Sequence, residues 1–500
     1  METGSGVLGS GIAGLDSVLG GGWPANRMYL VQGDPGAGKT TMGLQFLLEG
    51  ARTGERGLYV TLSETRAEVE AVALSHGWSL DFIDIYELSA IEQRLEVTSE
   101  NTLFHASEIE MREIVETVFA EIERVKPARV VFDSLSELRL LAQDALRFRR
   151  QVLAFKHYFA GRQCTVILTD DRSTSHRQTE LQSLAHGVVE LEQVSPEYGA
   201  ARRRMRVIKL RGVSYRDGFH DFAIEKGGLH VFPRVVTSDI QPDFERKQLK
   251  SGITALDNLI GGGLTLGTST LVIGPAGVGK SSLMMAFAVA AAERGEKAAL
   301  FIFDETTGTL VYRAEQLGIN IRKHVESGAI TLRSVYAGEL SPGKFAHLVC
   351  EPTKDPKVSF IGIDSLNGYI NAMPEEHHLS IQMHELLSYL NQRGVASMVV
   401  MAQHGMVGGM QSPVDVSYLA DSVILLRYFE AGGAVRKAIS AMKNRTSDHE
   451  DTIREYDLRT GEAGIVVGEP LSAFHGIFTG VPVFSGGDSQ LMQLGKERLP

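Results

Sequence analysis

Cysteine is almost missing from this 500-residue chain. Only Cys164 and Cys350 occur, far apart and each inside an apolar, strand-like run. That excludes a disulfide framework and reads as two buried thiols in a reducing compartment. Long apolar runs are missing too. The nearest, SLMMAFAVAAA (282–292), falls short of the roughly 18 residues needed to span a bilayer. There is no excess of positive charge: 50 Lys and Arg stand against 61 Asp and Glu, a formal net charge of −11. Such a balance argues against whole-surface affinity for nucleic acid or an acidic membrane. The opening METGSGVLGSGIAGLD has no basic region followed by an apolar core, so no secretory leader is expected and a cytoplasmic location is.

What the chain does have is glycine and a repeat. Its 53 glycines gather in a few short clusters, which marks them as turns and loops rather than low complexity. Residues 10–65 and 251–306 align without a gap, SGIAGLDSVLGGGW answering SGITALDNLIGGGL. A period this long exceeds the roughly 20–50 residues of solenoid units, so it is a duplicated domain. Further on, RVVFDS (129–134) matches FIGIDS (360–365), CTVILTDD (164–171) matches SMVVMAQH (397–404), and RVIKLRG (206–212) matches AISAMKNR (438–445). Strands alternating with helices predict an α/β protein of two tandem domains, each a mostly parallel sheet with helices on both faces. The expected layout is a first domain over 1–235, a polar linker over 236–248, a second domain over 249–485 and a short tail over 486–500.

Each copy carries G-x-x-x-x-G-K-[ST] between a strand and a helix: GDPGAGKTT (33–41) and GPAGVGKSS (274–282). Glycines there turn successive N–H groups around phosphates, and the next helix adds its N-terminal dipole. This assigns nucleotide binding to Gly36, Ala37, Gly38, Lys39, Thr40 and Thr41, and to Gly277, Val278, Gly279, Lys280, Ser281 and Ser282. The expected ligand is ATP with Mg²⁺, with the Thr40 and Ser281 hydroxyls on the metal. Asp133 and Asp364 end apolar strands and are expected to hold the same ion, the alternative being a cap on the following helix. Glu64 and Glu305 are candidates for orienting or deprotonating the attacking water. The residue before each differs, Ser63 in one copy and Asp304 in the other. If that earlier position is catalytic, the first site turns over slowly and the second works through a shortened carboxylate. Lys209 with Arg211, and Lys443 with Arg445, sit two apart on a strand. They read either as a solvated edge or as cations for a phosphoryl group on a neighbouring subunit.

With these stretches, and with SHGW (75–78), FDSLSEL (132–138), RRRMRVIKLRG (202–212) and DSVILLRYFE (421–430), the chain resembles the KaiC family of RecA-type ATPases over nearly its whole length. The resemblance implies a double-layered homohexamer with ATP at subunit interfaces, reached across the boundary by Lys209, Arg211, Lys443 and Arg445. It also implies a nucleotide contact at Ser75 and a KaiB-like protein partner. Clock-type members carry paired glutamates where this chain has Ser63–Glu64 and Asp304–Glu305. Their second domain phosphorylates itself, and Ser417 aligns with one acceptor while Tyr418 replaces the other, leaving either a serine autokinase or an ordinary interface loop. Family tails that recruit an activating partner are longer than the one here. Two further readings stay open. One is a DNA-dependent recombination or repair ATPase using Arg202, Arg204 and Arg206; the other is a nucleotide-gated scaffold with little turnover.

Overall fold

A computed structural model of the chain describes residues 6–88, 106–142, 145–172, 178–196, 199–237, 243–336, 338, 340–373, 378–403, 419–461, 464–477 and 483–484. The chain divides into two compact units, Met1–Arg234 and Val235–Pro500.

The strands of the first unit's main sheet are β1 (Met28–Gly33), β2 (Gly57–Thr61), β3 (Ile83–Glu87), β4 (Arg129–Asp133), β5 (Thr165–Asp171), β6 (Gly187–Val194), β7 (Arg202–Leu210), β8 (His220–Glu225) and β9 (Gly228–Phe232). They lie in the order β3-β2-β4-β5-β1-β6-β7-β8-β9. The six from β3 to β6 run parallel, and β7 to β9 continue the sheet antiparallel.

The second unit has β10 (Ser269–Gly274), β11 (Lys297–Ile302), β12 (Ile330–Ser334), β13 (Val358–Asp364), β14 (Ala396–Ala402), β15 (Ser422–Ala431), β16 (Ala434–Asn444), β17 (Arg454–Arg459) and β18 (Gly464–Pro470). Their order, β12-β11-β13-β14-β10-β15-β16-β17-β18, repeats that of the first unit strand for strand. Both units are RecA-like α/β domains, as the sequence predicts.

The parallel strands read as unbroken apolar runs because both faces of the sheet are covered. Met28, Leu30, Leu58, Val60, Val130 and Phe132 pack on one side, against helices Ala106–Val125, Leu135–Ala142 and Ala145–Phe159. Tyr29, Val31, Tyr59, Val131 and Ile167 alternate to the other side, against α1 (Lys39–Arg52). The two-residue period of a strand produces this division. In the second unit α2 (Lys280–Glu293) fills the α1 position and is apolar almost all round, matching its near-complete burial.

Both sheets carry a bulge at the same place. β6 pairs Val188 with Lys209 and Val189 with Val207, leaving Ile208 unpaired; β15 pairs Val423 with Lys443 and Ile424 with Ala441, leaving Met442 unpaired. An extra residue re-aims the side chains beside it, here Lys209 and Lys443.

One buried cation ties β4 to α1 and to the N-terminal segment of the first unit. Arg129 is 2% exposed, its Nε donates to Glu55 at 2.5 Å, and Nη1 donates to the carbonyls of Gly9 (2.8 Å) and Phe46 (2.9 Å). Removing it strands those acceptors in a dry site. Arg129→Ala is expected to cost about 3–5 kcal/mol, measured as a lower denaturant midpoint for the first unit.

Candidate nucleotide sites

In both units the glycine-rich loop leaves the central strand and opens a helix. Gly36 and Gly38 have φ of 79° and 101°, and Gly277 and Gly279 have 74° and 111°, a region closed to most side chains. Space forbids a Cβ as well. At Gly38 it would lie 2.7 Å from Ile224 Cδ1, and at Gly279 2.7 Å from the Tyr456 hydroxyl. Ala37 and Val278 are fully buried beneath their loops, and Thr41 and Ser282 lie buried in the first helical turns. The loop lysines fold back over the loops. Lys39 Nζ donates to the carbonyls of Gly33 (2.9 Å) and Asp34 (3.2 Å), and Lys280 Nζ to those of Gly274 (2.9 Å) and Pro275 (2.7 Å).

Parallel strands bring the acidic residues to the same sheet edge. Thr40 Oγ1 donates to Asp133 Oδ2 at 2.9 Å, and Tyr59 and Thr169 donate to the same carboxylate at 2.5 Å each. Asp133 is therefore a fixed acceptor beside the loop rather than a helix cap. In the second unit Ser365 caps the next helix, accepting from Gly368 N at 3.0 Å, which frees Asp364 from that role too. Burial pushes the Asp364 carboxyl up, against hydrogen bonding from Ser281, while the charges of Asp304 and Glu305 add to the rise. The peptide bonds following Asp133 and Asp364 are both cis.

The candidate bases are arranged differently. Glu64 Oε2 is buried with no hydrogen-bond partner among the described residues. Burial, then the negative charges of Asp133 and Glu68, raise its carboxyl above the ordinary value, and Lys39 opposes the rise. Glu305 instead accepts from Arg313 at 2.5 Å, and Asp304 accepts from Ser365 at 2.7 Å. Arg313 has no counterpart in the first unit, where Val72 holds its place on the helix Arg66–Ser75.

A third carboxylate, not singled out from the sequence, joins the first site. Asp171 Oδ1 lies 2.8 Å from Lys39 Nζ. Burial alone would raise this carboxyl, but the Lys39 ammonium, with Ser136 and Arg139, holds it below the usual range. β1 pairs Gly33 with Asp171, and β10 pairs Gly274 with Ala402, so the two positions are equivalent and only one is charged. Strand register sets TDD (169–171) against VMA (400–402), two residues away from the sequence alignment, which puts Asp171 opposite His404. The difference needed that register to be recognised.

The remaining candidates lie elsewhere. Ser75 ends its helix, exposed, with Oγ donating to the Val72 carbonyl at 2.7 Å; the neighbouring His76 ring lies 3.0 Å from the Glu225 carbonyl. Lys209 and Arg211 stand at the opposite sheet edge from their own loop. Leu210 registers with Gly187 and thence Tyr29, whereas the loop end, Gly33, registers with Leu191 and Met205. The four residues between correspond to about 13 Å of strand. Lys443 and Arg445 take the same place in the second unit, Arg445 just past the end of β16. Lys443 Nζ donates to the Ala420 carbonyl at 2.7 Å. Burial lowers the ammonium pKa of Lys209, helped by Arg211 and Lys156; burial and Arg445 do the same at Lys443.

Two of the three arginines considered for DNA are paired with carboxylates. Arg204 pairs with Glu192 at 2.7 Å and Arg206 with Glu190 at 2.6 Å, and both guanidinium groups lie over the Phe219 ring. That arrangement does not favour a DNA-dependent enzyme. Ser417 lies outside the described residues, as does the tail. Among the described residues, no helix is long and apolar enough to cross a membrane.

A family model described as "ATPase: KaiC" matches twice, at residues 8–236 and 249–472. The chain belongs to the KaiC ATPase family. It is similar to the circadian clock oscillator protein KaiC of Thermostichus vulcanus, 27% identical over 480 residues that cover 94% of this chain and 90% of the relative. A similar likeness holds for the circadian clock protein KaiC3 of Synechocystis, 23% identical over 486 residues, covering 96% and 95%. Both copies of the KaiC domain are thus present, each with its loop and strand-end carboxylates.

The unpartnered Glu64 gives a pH-dependent expectation. Its folded pKa exceeds its unfolded one, so its ionisation opposes folding at neutral and higher pH and has no effect once both states are protonated. Glu64→Gln is expected to raise the thermal midpoint of the nucleotide-free protein near pH 8. The gain should vanish by about pH 4, measured by calorimetry across that range.

Proposed function

We propose that this KaiC-family protein hydrolyses ATP in a double-layered hexameric ring, with each nucleotide held at a boundary between copies. What carries this reading is the separation of the two charged sets. The loop lysine and the carboxylates lie on one sheet edge and Lys209 with Arg211 on the other, so neither unit can close its own site. A neighbouring copy, offering its opposite edge, completes it.

Within such a site, Gly36–Thr41 or Gly277–Ser282 cradle the phosphates. Thr40 with Asp133, and Ser281 with Asp364, supply a hydroxyl and a carboxylate side by side, the oxygen donors that Mg²⁺ takes. The ion would neutralise charge on the β- and γ-phosphates. Glu64, with its raised pKa and unpartnered oxygen, is suited to orienting the attacking water and receiving its proton. In the second unit Asp304 is the better placed of the pair. Glu305 is engaged by Arg313, whereas Asp304 acts with Asp364 to offset the lowering of the Lys280 ammonium pKa by burial. Lys209, Arg211, Lys443 and Arg445 of the adjoining copy would meet charge developing on the transferring phosphoryl group, and Ser75 would face the nucleotide. Transfer to Ser417 in the second layer is the autokinase form of the same chemistry.

Two measurements test this. With Lys280→Ala throughout to silence the second layer, Arg211→Ala is expected to lower turnover by about 10³-fold, and Lys39→Ala to abolish it. Mixing the two variants before assembly should restore part of the activity, while mass measurement follows a six-copy species that forms with ATP. No recovery on mixing sinks the shared-site reading. For the kinase reading, mass spectrometry after incubation with ATP is expected to find phosphate on Ser417; an unmodified segment around it removes that activity.

A further inference from the structure

The two loop lysines differ in how many of their donors are spent. An ammonium has three. Lys39 uses all of them, on Gly33 O, Asp34 O and Asp171 Oδ1. Lys280 uses two, on Gly274 O and Pro275 O, and its third has no partner among the described residues. The neighbouring strand explains the difference, for the Ala402 methyl occupies the register position of Asp171 and accepts nothing.

We propose that Asp171 is a carboxylate latch that occupies the phosphate position on Lys39, so that nucleotide enters the first site only by displacing it, while Ala402 sets no such carboxylate at the second site. The inference rests on the reading of both loops as ATP sites. Asp171 is 45% exposed against 10% for Lys39, so the buried lysine stays in place while the carboxylate has room to leave. Displacement costs twice over. The charge-assisted contact at 2.8 Å is lost, and the released carboxylate remains near the incoming phosphates, which carry the same sign. Neighbouring groups still hold the latch in register: Ser136 Oγ accepts from Asp171 N at 3.0 Å, and Arg139 is committed to Asp170 at 2.6 Å. The two sites therefore fill in sequence as nucleotide rises, the second before the first, although their loops are nearly identical.

The test measures equilibrium binding of a non-hydrolysable ATP analogue with Mg²⁺, one site at a time. In a Lys280→Ala parent, Asp171→Asn is expected to tighten first-site binding by about 5- to 50-fold. The gap should narrow at high salt, as a charge effect must and a packing effect need not. In a Lys39→Ala parent, Ala402→Asp is expected to weaken second-site binding by a similar factor. Thermal midpoints without nucleotide report whether each variant folds, and Asp171→Ala, which copies the second site, provides a further form of the first arm. Unchanged or weaker binding in both Asp171 variants overturns the latch, as does an unchanged Ala402→Asp. A Lys280→Ala parent that binds no analogue at all instead overturns the reading of the first loop as an ATP site.

Discussion

A parallel sheet gathers its strand carboxyl ends on one edge, and that directionality governs the chemistry of both units. The loop strand stands in the interior of its sheet, between β5 and β6 in one unit and β14 and β15 in the other. Its neighbours therefore deliver Asp171, Asp133 and Glu64, or Asp364, Asp304 and Glu305, to the mouth of the loop without any long excursion of the chain. The antiparallel extension works in the other sense. By reversing direction at β7 and β16 it carries Lys209 and Lys443 back to the far edge, where a bulge turns them. One geometric rule thus separates the carboxylates and loop lysine from the Lys–Arg pair within each copy.

Within that frame the duplicated sites have diverged by moving charge rather than losing it. Ser63 removes a carboxylate that Asp304 retains, yet Asp171 supplies one where the second unit has Ala402. The acceptor beside the loop differs as well. Asp133 is held by three hydroxyls, from Thr40, Tyr59 and Thr169, whereas Leu300 and Val400 replace the last two in the second unit and leave Asp364 with the Ser281 hydroxyl. In the first site Asp133 accepts from three hydroxyls and Lys39 spends all its donors, while Glu64 Oε2 has no partner among the described residues. In the second, Ser281 is the hydroxyl that remains on Asp364, and Lys280 keeps one donor without a partner among the described residues. Nothing described in the first site resembles a loop stripped of its chemistry.

Much of this was legible in the sequence because it depends on local spacing. The glycine loops, the strand-ending Asp133 and Asp364 and the duplication itself announce their positions within a few residues. What escaped depends on pairing across strands. Asp171 becomes important only when Gly33 is seen beside it, and Arg204 and Arg206 look available for phosphates until Glu190 and Glu192 are placed opposite. Ile208 and Met442 look like ordinary strand residues, since a bulge leaves no mark in composition. Glu64 and Glu305 occupy equal places in an ungapped alignment, but Arg313, eight residues on, gives one of them a different partner.

The close fit at the loop glycines reaches further than the nucleotide. Gly38 has no side chain because Ile224 and Leu229 of the β8–β9 hairpin press on it, and Gly279 because Tyr456 and Leu458 of β17 do the same. Those hairpins continue the very strand ladder that bears Lys209 and Lys443. In evolutionary terms loop and hairpin form a single unit of inheritance: a bulkier residue on either side of the contact closes the space the other needs. Each hairpin is therefore tied in shape to the loop it covers, although none of these side chains carries any of the chemistry.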